Sequence, residues 1–234
     1  GAVLAGGVQY TIYSVNAAWG DDPTTFFTDT FLQVVPGDTF SWAPAWAVMI
    51  PLALVWILVL FVIGRGLSKG VEAANKIFLP LLVILFLALV IRALFLPGAV
   101  EGLNAFFTPN WAALADPKVW LAAFAQIFYS LSVGFGIMLT YASYLQRKSN
   151  LTGTALVAGF ANSSFEILAG IGVFSAVGFM AHQGGVSVSE VEGLTGPILS
   201  FVTFPKIISM MPGGPLFGVL FFSSLVLAGV TSLL

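Results

Sequence analysis

Residues Gln126-Ile127-Phe128-Tyr129-Ser130-Leu131-Ser132-Val133-Gly134-Phe135-Gly136 decide how this chain is read. They lie inside an uncharged run, Val119 to Leu145, that is long enough to cross a bilayer. Ser130, Ser132, Gly134 and Gly136 weaken a helix at its centre rather than extend it. In hydrocarbon a broken helix leaves peptide groups unpaired, at a cost of several kcal/mol each, unless protein, water or a ligand satisfies them. Two readings stand side by side. Either unwound backbone coordinates ions and substrate at mid-membrane, as in transporters, or the small residues pack closely on a neighbouring helix.

The rest of the chain places this run in a membrane. Hydrophobic residues make up 59% of the 234 residues and charged residues only 8%, with 22 Phe among them. Mean hydropathy is +1.02, so the expected class is an all-α integral membrane protein. The absence of cysteine excludes disulfides, thiol catalysis and cysteine metal sites. No nucleophile–base pair or metal constellation is visible, so neither an enzyme nor a cofactor is expected. Gly1 opens straight into apolar sequence, and Pro215 to Leu234 stops without a polar flank. Both ends read as interior to a longer protein.

Six spans are expected: Gly1 to Ala18, Trp46 to Ile63, Ile77 to Leu96, the broken Val119 to Leu145, Leu151 to Ala181, and Pro215 to Leu234. Within the third, Arg92 lies close enough to one end to snorkel. Between the last two spans, Ile198 to Met211 reads as a short apolar hairpin dipping onto the protein. Arg65, Lys69, Lys76, Arg147 and Lys148 fall on one side, which the positive-inside rule makes cytoplasmic. The other side holds Asp21, Asp22, Asp29, Asp38, Glu101, Asp116, Glu190 and Glu192, with Arg92, Lys118 and Lys206. That is eight of ten acids against three of eight bases, a partition that supports six spans. Asn150 reads as the cap of the fifth helix, and His182 as an ordinary interface residue.

Several polar residues inside the membrane need a reason. Asn162 and Glu166 are four apart and share one helix face. An ionisable group at this depth is costly and marks a functional site by default. The plainer alternative is a Glu166 hydrogen-bonded to Gln126 or to a serine on the next helix. Asn162, Glu166, Gln126 and Ser130 all need partners in the same layer. An alkali cation is hard and seeks several oxygen ligands, which an Asn carbonyl, a Ser hydroxyl and freed backbone carbonyls supply. Ala228-Gly229-Val230-Thr231-Ser232 adds two hydroxyls, or is ordinary packing with Ser and Thr bonded back to their own helix.

Together these residues resemble the neurotransmitter:sodium symporter family, its bacterial amino-acid members most of all. The run from Gln126 to Gly136, continuing to Thr140-Tyr141-Ala142-Ser143-Tyr144, resembles the sixth transmembrane segment. Gly102-Leu103-Asn104, Thr108-Pro109, Asp116-Pro117 and Trp120 resemble the loop before it; Asn162 with Glu166 fits the seventh segment, and Ala228 to Ser232 the eighth. Gly70 and Pro80 resemble a Gly-to-Pro motif of the fifth. The resemblance covers segments three to eight of a protein expected to have eleven or twelve.

The resemblance implies an inverted-repeat transporter fold with discontinuous helices, in this chain one transmembrane domain, 1–234, whose N- and C-terminal segments are missing. It implies a first sodium site of Ser130 and Asn162 and a second of Ala228, Thr231 and Ser232. The backbone carbonyls of Tyr129 and Ser130, with the Ser132 hydroxyl, would hold the substrate amine, and Ser232 would border that site. Tyr129 would form the outer lid and Phe135 line the side-chain pocket. Gly70 and Pro80 would gate the inner path to the second sodium. Chloride-dependent members carry a neutral serine where this chain has Glu166, so Glu166, beside Gln126, would substitute for the anion. Once sodium leaves, that carboxylate is placed to take up a proton for the return step. Tyr129 stands where many members carry Phe, and the tyrosine expected in the third segment falls at or before Gly1.

The expectation is therefore sodium-coupled symport of an amino acid, with an apolar side chain and without chloride, across the plasma (inner) membrane of a bacterial-type cell. The expected partners are the amino acid, sodium and the lipid bilayer, with a homodimer as an option and no nucleic acid. The alternatives are a same-fold sodium-coupled transporter of another substrate, or a membrane receptor or scaffold that does not transport.

Overall fold

The computed structural model describes residues 2–34, 44–145, 148–191 and 196–234. Asp38, Arg147 and Glu192, which entered the charge partition, and Gly1 of the first span lie outside them. The helices run in chain order as α1 (Ala2–Ser14), α2 (Trp46–Gly64), α3 (Ala73–Leu94), α4 (Ala99–Phe107), α5 (Pro117–Ser130), α6 (Ile137–Ser143), α7 (Leu151–Gly184), α8 (Phe204–Met210) and α9 (Gly214–Leu233). There is no strand among the described residues. Four stretches, Trp46–Gly64, Lys69–Leu94, Leu151–Gly184 and Gly214–Leu233, are long and apolar enough to cross a membrane.

Local chemistry sets the ends of these helices. Asp116 caps α5 by accepting the Lys118 N–H at 2.9 Å, with Pro117 in the first turn, where its missing N–H costs nothing. Asn150 caps α7 as expected, its side chain accepting the Gly153 N–H at 2.9 Å. The far end of α7 stops at Gly185, in the left-handed conformation (φ +64°). A π-helical turn, Leu67–Glu72, leads into α3, and Pro80 lies inside that helix. Arg92 does reach an end: its Nη2 donates to the Pro212 carbonyl at 2.8 Å.

Residues 196–210 correct one expectation. They form one helical run rather than a hairpin, with a π turn at Leu199–Thr203 leading into α8. Pro205 has no backbone N–H and stands in the first turn of α8, where a proline is tolerated. The wider turn before it absorbs the loss, the Phe204 N–H donating to the Leu199 carbonyl.

Between lipid-facing helices no hydrophobic force drives association, so close contact and dispersion hold them. Small residues permit it. A Cβ built on Gly229 of α9 would lie 1.9 Å from the Leu4 side chain of α1, and one on Gly102 of α4 would lie 1.8 Å from the Phe174 carbonyl of α7. The best-packed region joins α1, the 196–210 run and α9 around Tyr10, whose ring is fully buried. Trp19 stacks on Tyr10 at 5.8 Å; Phe201 and Phe222 meet it at 5.0 and 5.2 Å. The Trp19 indole N–H donates to Ser209 at 2.9 Å and ties the loop after α1 to α8.

Candidate ion and substrate site

The fourth span is broken where the serines and glycines fall. α5 ends at Ser130 and α6 begins at Ile137; between them Ser132, Gly134 and Gly136 take positive φ (+52°, +80° and +77°). For Ser132, a residue with a Cβ, this conformation costs about 1–2 kcal/mol. It redirects the backbone, and no N–H among the described residues donates to the carbonyls of Ser130, Leu131, Ser132 or Val133. The Tyr129 carbonyl accepts the Ser132 N–H at 3.1 Å. The four carbonyls from Ser130 to Val133 are the freed acceptors that a cation or an ammonium group can use.

Across the break, α7 presents Asn162 and Glu166 one turn apart. The Ser130 hydroxyl donates to Glu166 Oε1. Asn162 Nδ2 donates to Ser130 Oγ at 2.6 Å and to Glu166 Oε1 at 3.1 Å. Three half-buried polar side chains thus close a triangle between two helices, and among the described residues Asn162 Oδ1 carries no hydrogen bond. A carboxylate, an amide oxygen, a hydroxyl and open backbone carbonyls are the ligand set a hard monovalent cation takes. Gln126, one turn before Ser130, makes no side-chain hydrogen bond among the described residues, so of the two alternatives for Glu166 the structure shows the serine.

The hydroxyls of α9 form a second group. Thr231 and Ser232 both donate to the Ala228 carbonyl, at 2.8 and 2.9 Å. This is the back-bonding usual for Ser and Thr on a helix, and it gathers three oxygens in one turn. Tyr129 and Phe135 meet edge to face, centroids 6.2 Å apart, and are 73% and 57% exposed, so among the described residues their face is open. Phe128, which carries no signal of its own in the sequence, backs the bend: a Cβ on Gly134 would lie 3.0 Å from its ring.

Gly70 sits in the π turn before α3, pressed on the end of α2, where a Cβ would lie 1.9 Å from the Val62 carbonyl. Pro80 lines an open cleft of about 880 Å³ together with Val71, Asn75, Thr140, Tyr144 and Leu234. The cleft joins the start of α3, the helix after the break and the end of α9, two residues beyond Ser232. Asn75 is a second residue absent from the sequence expectations; its Oδ1 is buried without a partner. Between Glu72 and Lys76, ahead of the apolar span, it carries no distinct signal in the sequence.

Comparison with known proteins fits this geometry. The model of the sodium:neurotransmitter symporter family matches residues 8–234. An uncharacterized sodium-dependent transporter of Methanocaldococcus jannaschii is 40% identical over 233 residues, covering 98% of this chain and 47% of the relative. The sodium- and chloride-dependent creatine transporter 1 of Bos taurus is 35% identical over 88% of this chain and 32% of its own length. The crystal structure of MhsT in complex with L-phenylalanine superposes with a TM-score of 0.65 at 35% identity, covering 99% of this chain and 52% of that one. The chain thus spans about half the length of these proteins or less. It belongs to the sodium:neurotransmitter symporter family, a family of transporters rather than enzymes, and has the helical membrane fold of a multi-pass protein.

Proposed function

We propose that the whole protein is a plasma-membrane symporter that uses sodium to take up an amino acid with an apolar side chain, without chloride. The observation that carries this is the triangle of Ser130, Asn162 and Glu166 beside unwound backbone. In this reading Ser130 and Asn162 ligate one sodium, and Glu166 supplies the negative charge nearby. The Ala228 carbonyl and the Thr231 and Ser232 hydroxyls ligate a second sodium, the two hydroxyls turning from that carbonyl to the ion. The Tyr129 and Ser130 carbonyls and the Ser132 hydroxyl receive the ammonium group. Tyr129 closes over the substrate, and Phe135 packs on its side chain. Gly70 and Pro80 let the inner end of α3 unwind into the 880 Å³ cleft and release the second ion. Sodium entry supplies about 2.3 kcal/mol per charge per 100 mV of membrane potential.

The test is the melting temperature of the full-length protein in sodium and in potassium, with twenty amino acids, creatine and taurine. A ligand that binds only the folded state raises it. A few apolar amino acids should do so in sodium alone, and Asn162→Ala should abolish the effect. Stabilisation by creatine or taurine instead would keep the sodium site and replace the substrate class. No response to any combination in folded protein would overturn the reading. Chloride separately tests Glu166: Glu166→Ser should make uptake chloride-dependent, and chloride-insensitive uptake by that variant would show that the carboxylate does not stand in for the anion.

A further inference from the structure

A cleft of about 590 Å³ lies away from the broken helix, between the C-terminal end of α7, the 188–191 turn and the 196–210 run. Its volume suits a small molecule. Glu190 and Lys206 both line it, with Thr24 on a third side and Met180, Val202 and Met210 as apolar wall. Glu190 is fixed in place: its Oε2 accepts the Ser187 N–H at 2.8 Å and the Ser187 hydroxyl at 2.9 Å. Those bonds favour the ionised form and hold its carboxyl below the usual range. Among the described residues, Oε1 is left without a partner, and neither Glu190 nor Lys206 makes an ion pair. One cleft therefore presents an anion and a cation that do not neutralise each other.

We propose that this cleft binds a small zwitterion bearing an apolar substituent, its anionic group on Lys206, its ammonium on Glu190 Oε1 and its substituent on the methionine and valine wall. A ligand of single charge would satisfy one side and leave the opposite charge unanswered; a zwitterion answers both. Methionine adapts its shape to varied substituents. Both charges are exposed to water and screened, so binding is weak. Two sources offer this chemistry, a free amino acid and a zwitterionic lipid headgroup. The cleft's place on the outer side rests on the transporter reading above, whereas its charge pattern does not.

The experiment is fluorine NMR line broadening of para-fluoro-L-phenylalanine by full-length protein, delipidated in detergent, in potassium buffer without sodium. Broadening is expected with the unsubstituted protein and equally with Asn162→Ala. It should be more than halved in Lys206→Gln and in Glu190→Gln, whose unchanged melting temperatures show that they fold. The amine-free para-fluorophenylpropionate should broaden less than the amino acid. If dihexanoyl phosphatidylethanolamine displaces the probe, the lipid headgroup is the source; if it does not, the free amino acid is, and either result supports the site. No broadening in potassium, or broadening untouched by both charge substitutions, overturns it. Broadening that persists while sodium stabilises nothing would sink the central-site reading and leave this one standing.

Discussion

Around Tyr10 and around Ser130 the molecule brings distant segments together by different means. The Tyr10 region gathers rings from α1, the loop after it, the 196–210 run and α9 into a tight core that leaves the Tyr10 hydroxyl buried without a partner. The Ser130 region is looser and partly open, yet Ser130, Asn162 and Glu166 all find one another. Shape holds the first together and tolerates an unsatisfied polar atom. Hydrogen bonds hold the second together, and those same oxygens can exchange partners for an ion. Packing closes the first region, and polar contacts between α5 and α7 join the second.

The comparison can be broken most sharply with Phe222→Ala. Phe222 is fully buried and stacks on Phe201 at 6.0 Å, so its removal should cost about 3–5 kcal/mol of stability. The melting temperature should fall equally in sodium and in potassium; a loss confined to sodium would couple the core to the ion site. Asn162→Ala should behave in the opposite way. In potassium it should lose only its bonds to Ser130 and Glu166, about 1 kcal/mol, and in sodium it should lose in addition the whole ligand-dependent increment, about 2.7 kcal/mol at a hundredfold excess over Kd. Tyr10→Phe removes an unpartnered hydroxyl from the core and should raise stability by about 1 kcal/mol. A fall on denaturation would mean that the hydroxyl has a partner in the folded protein.

The smallest effect concerns the loop after α1. Asp22 accepts hydrogen bonds from the Thr25 hydroxyl and from the Thr25 and Thr24 N–H groups, which hold its carboxyl below the usual range. A lowered folded value means that the stabilisation is present above the unfolded value of about 3.9 and is lost as pH falls through the folded one. Amide exchange at Thr24 and Thr25 should therefore show lost protection only below about pH 4. The amides of α9 should not follow, and if they did, cap and core would form one unit.

Much of the site was legible because its chemistry is local. Serines and glycines at 130–136 mark the break, since they weaken a helix wherever it stands, and a spacing of four puts Asn162 and Glu166 on one face. The bond between Ser130 and Asn162 spans 32 positions, and no periodicity encodes it. Phe128 and Asn75 stayed hidden because an aromatic in an apolar span, or an amide between Glu72 and Lys76, looks ordinary until its neighbours are known. The helical course of 196–210 was not legible for a related reason: the π turn before Pro205 is a property of the folded backbone.

The sequence by itself determined that this chain crosses a membrane several times, where one crossing breaks, and which polar residues there need partners. Those conclusions follow from transfer energies and helix propensities, which act residue by residue. Only the tertiary structure decided which oxygens meet, which rings form the core, and that Glu190 and Lys206 share a cleft without neutralising each other. Each of these depends on contacts between segments far apart in the chain, fixed by glycine-close helix crossings whose register no single stretch of sequence records.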